Sequence, residues 1–377
     1  MRIFASVFYK YIRHMKKRFY LSVSVALLLG TVLVFSSCSD NADTPIGEEE
    51  KSDLSVYDMN RPVGFGKEVT GSNNQNPVLV TTEAELRNAV SGTEPATVYI
   101  QGHISLSTRI MVGSNKTILG ISGASVKNAN RDENAGIFLL VGSNNVIIRN
   151  LTLLGPGAYD IDVNDGDNIS LTNATNVWVD HCDIQDGIDG NFDIVSGSDN
   201  ICCSWTRFRY LIEPKAGGSG ENDKHCNSNL IGNSNNSADV DEGHLNCTFI
   251  NCWWGSGCIE RCPRVRFGKV HVVNCLYDGT DYNYCIGYGV YSNIYVEKCA
   301  FTTEEAQKNA LRDWHGDKDF NVKITGCVGL EDTELHQGDR TQFVPTYDYL
   351  SYDANKVATI LTDASTGAGA TLNIQYK

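Results

Sequence analysis

Seven segments of the chain share one pattern and follow one another at nearly even intervals. They begin at Asn145, Asn176, Asn200, Asn246, Lys269, Asn293 and Asn321 and read NVIIRNLTL, NVWVDHCDI, NICCSWTRF, NCTFINCWW, KVHVVNCLY, NIYVEKCAF and NVKITGCVG. Each alternates apolar and polar residues over its first part, the period of a half-buried strand. The starts lie 31, 24, 46, 23, 24 and 28 residues apart, and since 46 is twice 23, that coil is either irregular or interrupted by a loop. A unit of this size cannot bury its own apolar face and is stable only when stacked on its neighbours. The expected fold is therefore an all-β solenoid of parallel strands. The 35 glycines, 8 prolines and polar runs between short apolar stretches suit many short strands joined by turns.

Aligning the segments sets Leu151, Cys182, Thr206, Cys252, Cys275, Cys299 and Cys327 in one column, which the strand phase points inward. Strands about 4.8 Å apart would stack the four successive sulfurs. Buried thiols behave as small hydrophobes, so a ladder of free thiols is favoured over disulfides, which need specific geometry. The neighbouring Asn150, Asn251 and Asn274 are candidates for a side-chain amide ladder. In TTEAELRNAV at 81–90, Thr82 and Glu85 form a capping box, which predicts a helix capping the N-terminal end of the solenoid. Segment 303–312 has helical composition too, and the tail from about 329 is expected to wrap the outside irregularly.

The N-terminus reads as an export signal. Arg2, Lys10, Arg13, Lys16, Lys17 and Arg18 precede an apolar run from Tyr20 to Phe35, which ends in FSSC. The run is short for a stable membrane span. Its closing Cys38 suggests a bacterial lipoprotein, cleaved before Cys38 and lipidated on it. The alternatives are a membrane anchor or a leader with an incidental cysteine. The expected organisation is a signal over 1–37, an acidic tether over 38–60 and one solenoid domain over 61–377. Its location would be the outer membrane or cell surface, or the medium, with the lipid as the sole membrane contact. Without the six basic signal residues, 25 basic residues face 45 acidic ones, a formal net charge of −20. Nucleic acid, which requires basic patches, is excluded as a partner.

Two acidic groups stand out, Asp165 with Asp167 in NDGDN and Asp189 with Asp193 in DGNFD. They lie 24 to 28 residues apart, about one coil, which would set them side by side on adjacent turns. Four converging carboxylates repel one another without a cation, and hard oxygen ligands of this kind suit Ca²⁺. The plainer reading of Asp-Gly pairs is turn formation, and Asp162, Asp183, Asp186 and Asp199 are assigned only that. A zinc site from His225, Cys226, His244 and Cys247 fits no standard spacing.

NKTILG at 115–120, VWVDHCDI at 177–184 and RCPRVRFG at 261–268 resemble signature stretches of the extracellular pectate lyases of polysaccharide lyase family 1. The resemblance covers roughly 75–330 and implies a right-handed, single-stranded parallel β-helix acting on polygalacturonate or pectin. It implies β-elimination: Arg261 takes the C5 proton of a galacturonate and Arg266 holds a substrate carboxylate. It also points to Asp165, Asp167, Asp189 and Asp193 as Ca²⁺ ligands, with Asp189 standing where Glu is common. Asp180 and His181 of VWVDH would be structural. The lysine that the family places five residues before the glycine of an LxG stretch is Asn227 here; Lys215 is the candidate in its place and Lys224 the second. Arg264 reads as a surface or ion-paired arginine. An arginine base implies an alkaline activity optimum, because its ordinary pKa exceeds about 12. A monomer is expected. The competing readings are a pectin lyase, for which Trp253 and Trp254 could supply an aromatic groove, and a noncatalytic glycan binder.

Overall fold

The repeated segments pair edge to edge, each in parallel with its copy one coil later. The computed structural model describes residues 60–158, 166–215 and 225–376, all within one unit, 54–377. Val146, Val177, Ile201, Cys247, Val270, Ile294 and Val322 are in register across seven successive strands, and all are fully buried. These strands belong to a first sheet that runs from Pro77–Val80 to Phe320–Thr325 and is closed by the antiparallel strand Thr333–Gln337. A second sheet runs from His103–Leu106 to Ala300–Phe301, and a third from Ile110–Met111 to Leu311–Trp314. One strand of each sheet makes one coil, giving a right-handed parallel β-helix.

The corners explain the sequence pattern. Asn115, Asn145, Asn176 and Asn200, at or just before the first-sheet strands, are left-handed with φ of 58, 62, 56 and 58°. Asparagine tolerates this conformation better than other residues with a side chain. The next corner is also left-handed, at Asn150, His181, Trp205, Asn251, Asn274 and Lys298. Just after it comes the inward column, where the amides of Cys252, Cys275 and Cys299 donate to Cys275 Sγ, Cys299 Sγ and Cys327 Sγ at 3.4, 3.4 and 3.3 Å. The amide of Cys182 donates likewise to Thr206 Oγ1 at 3.4 Å. A corner amide turned into the core needs an acceptor, and a small side chain with sulfur or oxygen supplies one without a void. All twelve cysteines among the described residues are free.

The asparagines do not form the expected ladder in that column. Asn274 instead brackets the tail, accepting from Tyr352 N at 2.9 Å and donating to Tyr352 O at 2.8 Å. Asn150 does the same with Leu372, at 2.9 Å both ways. The tail is also more regular than expected. Its helix Ala354–Leu361 buries Val357 and Leu361 against Trp205, Leu276 and Ala300. The capping box on Glu83–Ala89 is formed, and Leu86 is buried in the core. Segment 303–312 holds one short helix, Glu304–Lys308, before turning into a strand. Strand Asp199–Ser204 pairs directly with Cys247–Ile250, so the 46-residue interval is one coil enlarged by loops. Lys116 of NKTILG is buried, its Nζ donating to the carbonyls of Gly92, Glu94 and Ser114. Among the described residues no helix is long and apolar enough to cross a membrane.

One buried network clamps the tail to the first sheet. His271 bonds Tyr347 Oη through Nδ1 and Glu297 Oε1 through Nε2, both at 2.9 Å, and the Tyr349 hydroxyl donates to the same Glu297 oxygen. Burial works to raise the pKa of Glu297, but the bonds from His271 and Tyr349 outweigh it and leave the pKa below its ordinary 4.5. A depressed carboxylate stabilises the fold fully above its unfolded value and ceases to do so as pH falls through the folded one. Glu297→Gln is therefore expected to cost about 1–2 kcal/mol at neutral pH. The gap from the parent should shrink as pH falls below 4.5, which melting curves across that range will measure.

Candidate active site

The third sheet carries the candidate site residues on or beside its outer face. Leu139, Ser170 and Asp193 are in register, as are Leu230, Arg264, Gly287 and Arg312. The pairing of Ile194 with Ile231 joins the two rows. Gly190, Asn227 and Glu260 stack in the same way at the bend just before these strands.

Asp167 lies at that bend on the preceding coil and is buried. Its Oδ2 accepts from Ser170 Oγ at 2.8 Å, whereas its buried Oδ1 has no hydrogen-bond partner. A Cβ on Gly190 would stand 2.6 Å from Asp167 Oδ1 and 3.1 Å from Asp193 Oδ1. The two carboxylate oxygens thus look into a hollow that only glycine leaves open. Burial, then Asp193 and Asp189, push the pKa of Asp167 well above the carboxylate range. Asp193 Oδ1 also accepts from Leu230 N at 2.9 Å. Asp189 is engaged elsewhere, its Oδ1 2.6 Å from His225 Nε2. Asp165 and Cys38 lie outside the described residues, as does Lys224. Among the described residues, no group of three or more His, Cys, Asp or Glu side chains is gathered closely enough to hold a metal. What the structure brings together is Asp167 with Asp193. An orphaned buried oxygen, a second carboxylate and an open hollow fit a hard divalent cation completed by further oxygens.

Arg261 and Arg266 follow two coils on from Asp193. Arg261 is left-handed, with φ 59°, and its buried Nε has no hydrogen-bond partner. Burial disfavours its charge, but Asp193 and Asp189 outweigh burial and hold its pKa above the ordinary arginine value. Arg266 is nearly buried, donating from Nε to Asn235 Oδ1 at 2.7 Å and from Nη1 to Gly232 O at 2.5 Å. Burial, then Arg264 and Arg261, bring its pKa down to about 10. Lys215 is exposed, and its backbone N donates to Ala158 O at 2.9 Å. An acidic hollow next to crowded arginines can bind an anionic chain through both a cation and guanidinium groups.

Other sequence candidates are placed away from this face. Asp180 and His181 are buried at the first-sheet corner, where Asp180 binds His181 Nδ1 at 2.7 Å, Ser204 Oγ at 2.5 Å and Arg149 Nε at 2.7 Å. Asp183, assigned only to a turn, instead pairs with Arg207 and Arg209 at 2.7 and 2.6 Å. Trp254 is sealed in the core between Phe208 and Tyr277, and Trp253 lies beneath Arg207 on the second sheet, so neither lines an aromatic groove. The zinc set is dispersed: His225 is on Asp189, and His244 is 3.9 Å from Asp199. Sequence reasoning missed His225 as a partner of Asp189, and Gly190. The loop around His225 has no period to follow, but the Gly190 between two aspartates was a readable signal.

A family model described as pectate lyase matches residues 35–370. Probable pectate lyase B of Aspergillus terreus is 31% identical over 327 residues, covering 80% of this chain and 88% of that protein. Pectate lyase E of Dickeya chrysanthemi is 28% identical over 345 residues, covering 78% and 84%. Among solved structures, a pectate lyase bound to hexasaccharide superposes with a TM-score of 0.65 at 20% identity, covering 85% of this chain and all of that one. A Bacillus subtilis pectate lyase variant does so with 0.65 at 19%, over the same shares.

Proposed function

The chain belongs to the pectate lyase family and is a polysaccharide lyase, and from that premise we propose that it cleaves α-1,4-polygalacturonate by Ca²⁺-dependent β-elimination. The observation that carries this reading is the hollow over Gly190, where Asp167 Oδ1 and Asp193 Oδ1 meet within the electrostatic reach of Arg261. Asp165, Asp167, Asp189 and Asp193 would hold the ion. Bound there, Ca²⁺ supplies a Lewis acid for the galacturonate carboxylate, which acidifies the C5 proton. Arg261 in its deprotonated form, reached only once the charge of Asp193 and Asp189 that otherwise holds it protonated is neutralised, would take that proton. The electron pair would form the C4–C5 double bond, and the C4–O bond would break with the leaving sugar oxygen taking a proton from solvent. Arg266 and Lys215 hold substrate carboxylates and fix the sugar's orientation. Export through the leader over 1–37, with lipid on Cys38 and a tether over 38–60, belongs to the same reading. The protein would then meet polymer outside the cytoplasm, as a monomer.

The test follows the ultraviolet absorbance of the unsaturated product during incubation with polygalacturonate. EDTA is expected to abolish it and added Ca²⁺ to restore it, with methyl-esterified pectin a poorer substrate. Chelator-insensitive cleavage, a preference for esterified pectin, or binding without product would each overturn the reading.

A further inference from the structure

Beyond Arg261 the outer face continues for two more coils, and no part of the chemistry above uses it. Arg264 makes no ion pair among the described residues, and its buried Nε has no hydrogen-bond partner. Its guanidinium lies instead over the ring of Trp314, 4.3 Å from the centroid, and that of Arg312 lies 5.6 Å from the same centroid. Trp314 keeps 36% of its surface exposed. Arg312 likewise forms no ion pair among the described residues, and the adjacent Asp313 is bonded to His315. Gly287 makes this assembly possible. A Cβ there would come within 3.0 Å of Tyr284 Cε2, 3.1 Å of Arg264 Cγ and 3.2 Å of Trp314 Cδ1. Arg264 lies in the field of the Glu260 carboxylate and the Tyr284 phenol, but neither guanidinium is ion-paired among the described residues, and held on one indole they leave N–H donors at the edges of their planes for an anion.

We propose that Arg264, Trp314 and Arg312 form a distal subsite for the carboxylate of a galacturonate residue, on the side of Arg261 away from the aspartates. The inference rests on the polygalacturonate reading above. Arg312 stands four strands from Asp193 along the sheet, about 19 Å at ordinary strand spacing, so only an oligomer of several sugars reaches both. The subsite thus makes affinity depend on chain length without touching the bond that breaks. Its planar guanidinium groups bind carboxylates in a bidentate manner that a methyl ester abolishes.

Trp314→Ala and Arg312→Ala are compared with the parent on polygalacturonate and on the shortest oligomer that is cleaved, with Trp314→Phe as the variant that preserves the packing. Either alanine variant is expected to raise KM for the polymer about tenfold, with little change in kcat or in the short oligomer's KM, and Trp314→Phe to recover most of the loss. Calorimetric binding of a galacturonate hexamer in EDTA gives a second readout that needs no turnover, and it should weaken in the same order. Equal effects on long and short substrates, or none in calorimetry, would overturn the subsite. If the parent cleaves nothing, the proposed function fails, while calorimetry still decides whether the arginines bind uronates.

Discussion

Arg261→Lys is expected to lower kcat on polygalacturonate about a thousandfold, within the range of a lost general base, while KM and the melting curve hardly move. The argument begins with charge. Arg261 faces Asp193 and Asp189, which together outweigh the cost of its burial. Lysine keeps the positive charge, so the carboxylates stay balanced and the fold holds. It also keeps the left-handed backbone, whose cost belongs to the position and is the same for both side chains. What lysine lacks is the rigid plane that carries a nitrogen to a fixed point, because its ammonium is a point charge on a flexible stem. Reach and aim are thus removed with charge held constant. Arg261→Ala removes all three and should lower the melting temperature too, since it leaves Asp189 and Asp193 facing Asp167 without a counter-charge. A lysine variant that retained more than about a tenth of kcat would remove Arg261 from the chemical step.

The parts of the molecule that repeat could be read from the sequence, and the parts that occur once could not. Strand alternation and a coil-length period located the first sheet and the inward column of Cys252, Cys275, Cys299 and Cys327. Period alone did not reveal that the sulfurs of Cys275, Cys299 and Cys327 each accept a corner amide, because that bond joins residues a full coil apart. Asn150 and Asn274 were visible as corner residues, but their partners, Leu372 and Tyr352, lie in a tail with no repeat. The same division runs through the site. Asp167 and Asp193 could be placed on neighbouring coils by counting, whereas the engagement of Asp189 by His225 depends on an irregular loop. Arg264 looked like a surface or ion-paired charge because its neighbour Trp314 is 50 residues further on, two coils away across Gly287.

Asp167→Asn is expected to have opposite effects on stability with and without Ca²⁺. In EDTA the parent keeps a buried carboxylate whose Oδ1 has no hydrogen-bond partner, beside Asp193 and Asp189. Asparagine removes that charge, keeps an oxygen for the Ser170 hydroxyl and fills the same volume. The variant should therefore be more stable than the parent in EDTA, by about 1–2 kcal/mol. With Ca²⁺ the order should reverse. Losing one charged ligand is expected to weaken Ca²⁺ binding about a hundredfold. At a concentration near 100 times the parent's dissociation constant, the parent then gains about 2.7 kcal/mol and the variant less than about 0.5 kcal/mol. Melting curves in EDTA and across a Ca²⁺ titration would show the two proteins exchange rank, and calorimetry would give the affinities directly. Neither readout requires turnover. If the variant is the less stable protein in EDTA, or if Ca²⁺ raises both melting temperatures equally, Asp167 packs a turn and the ion binds elsewhere.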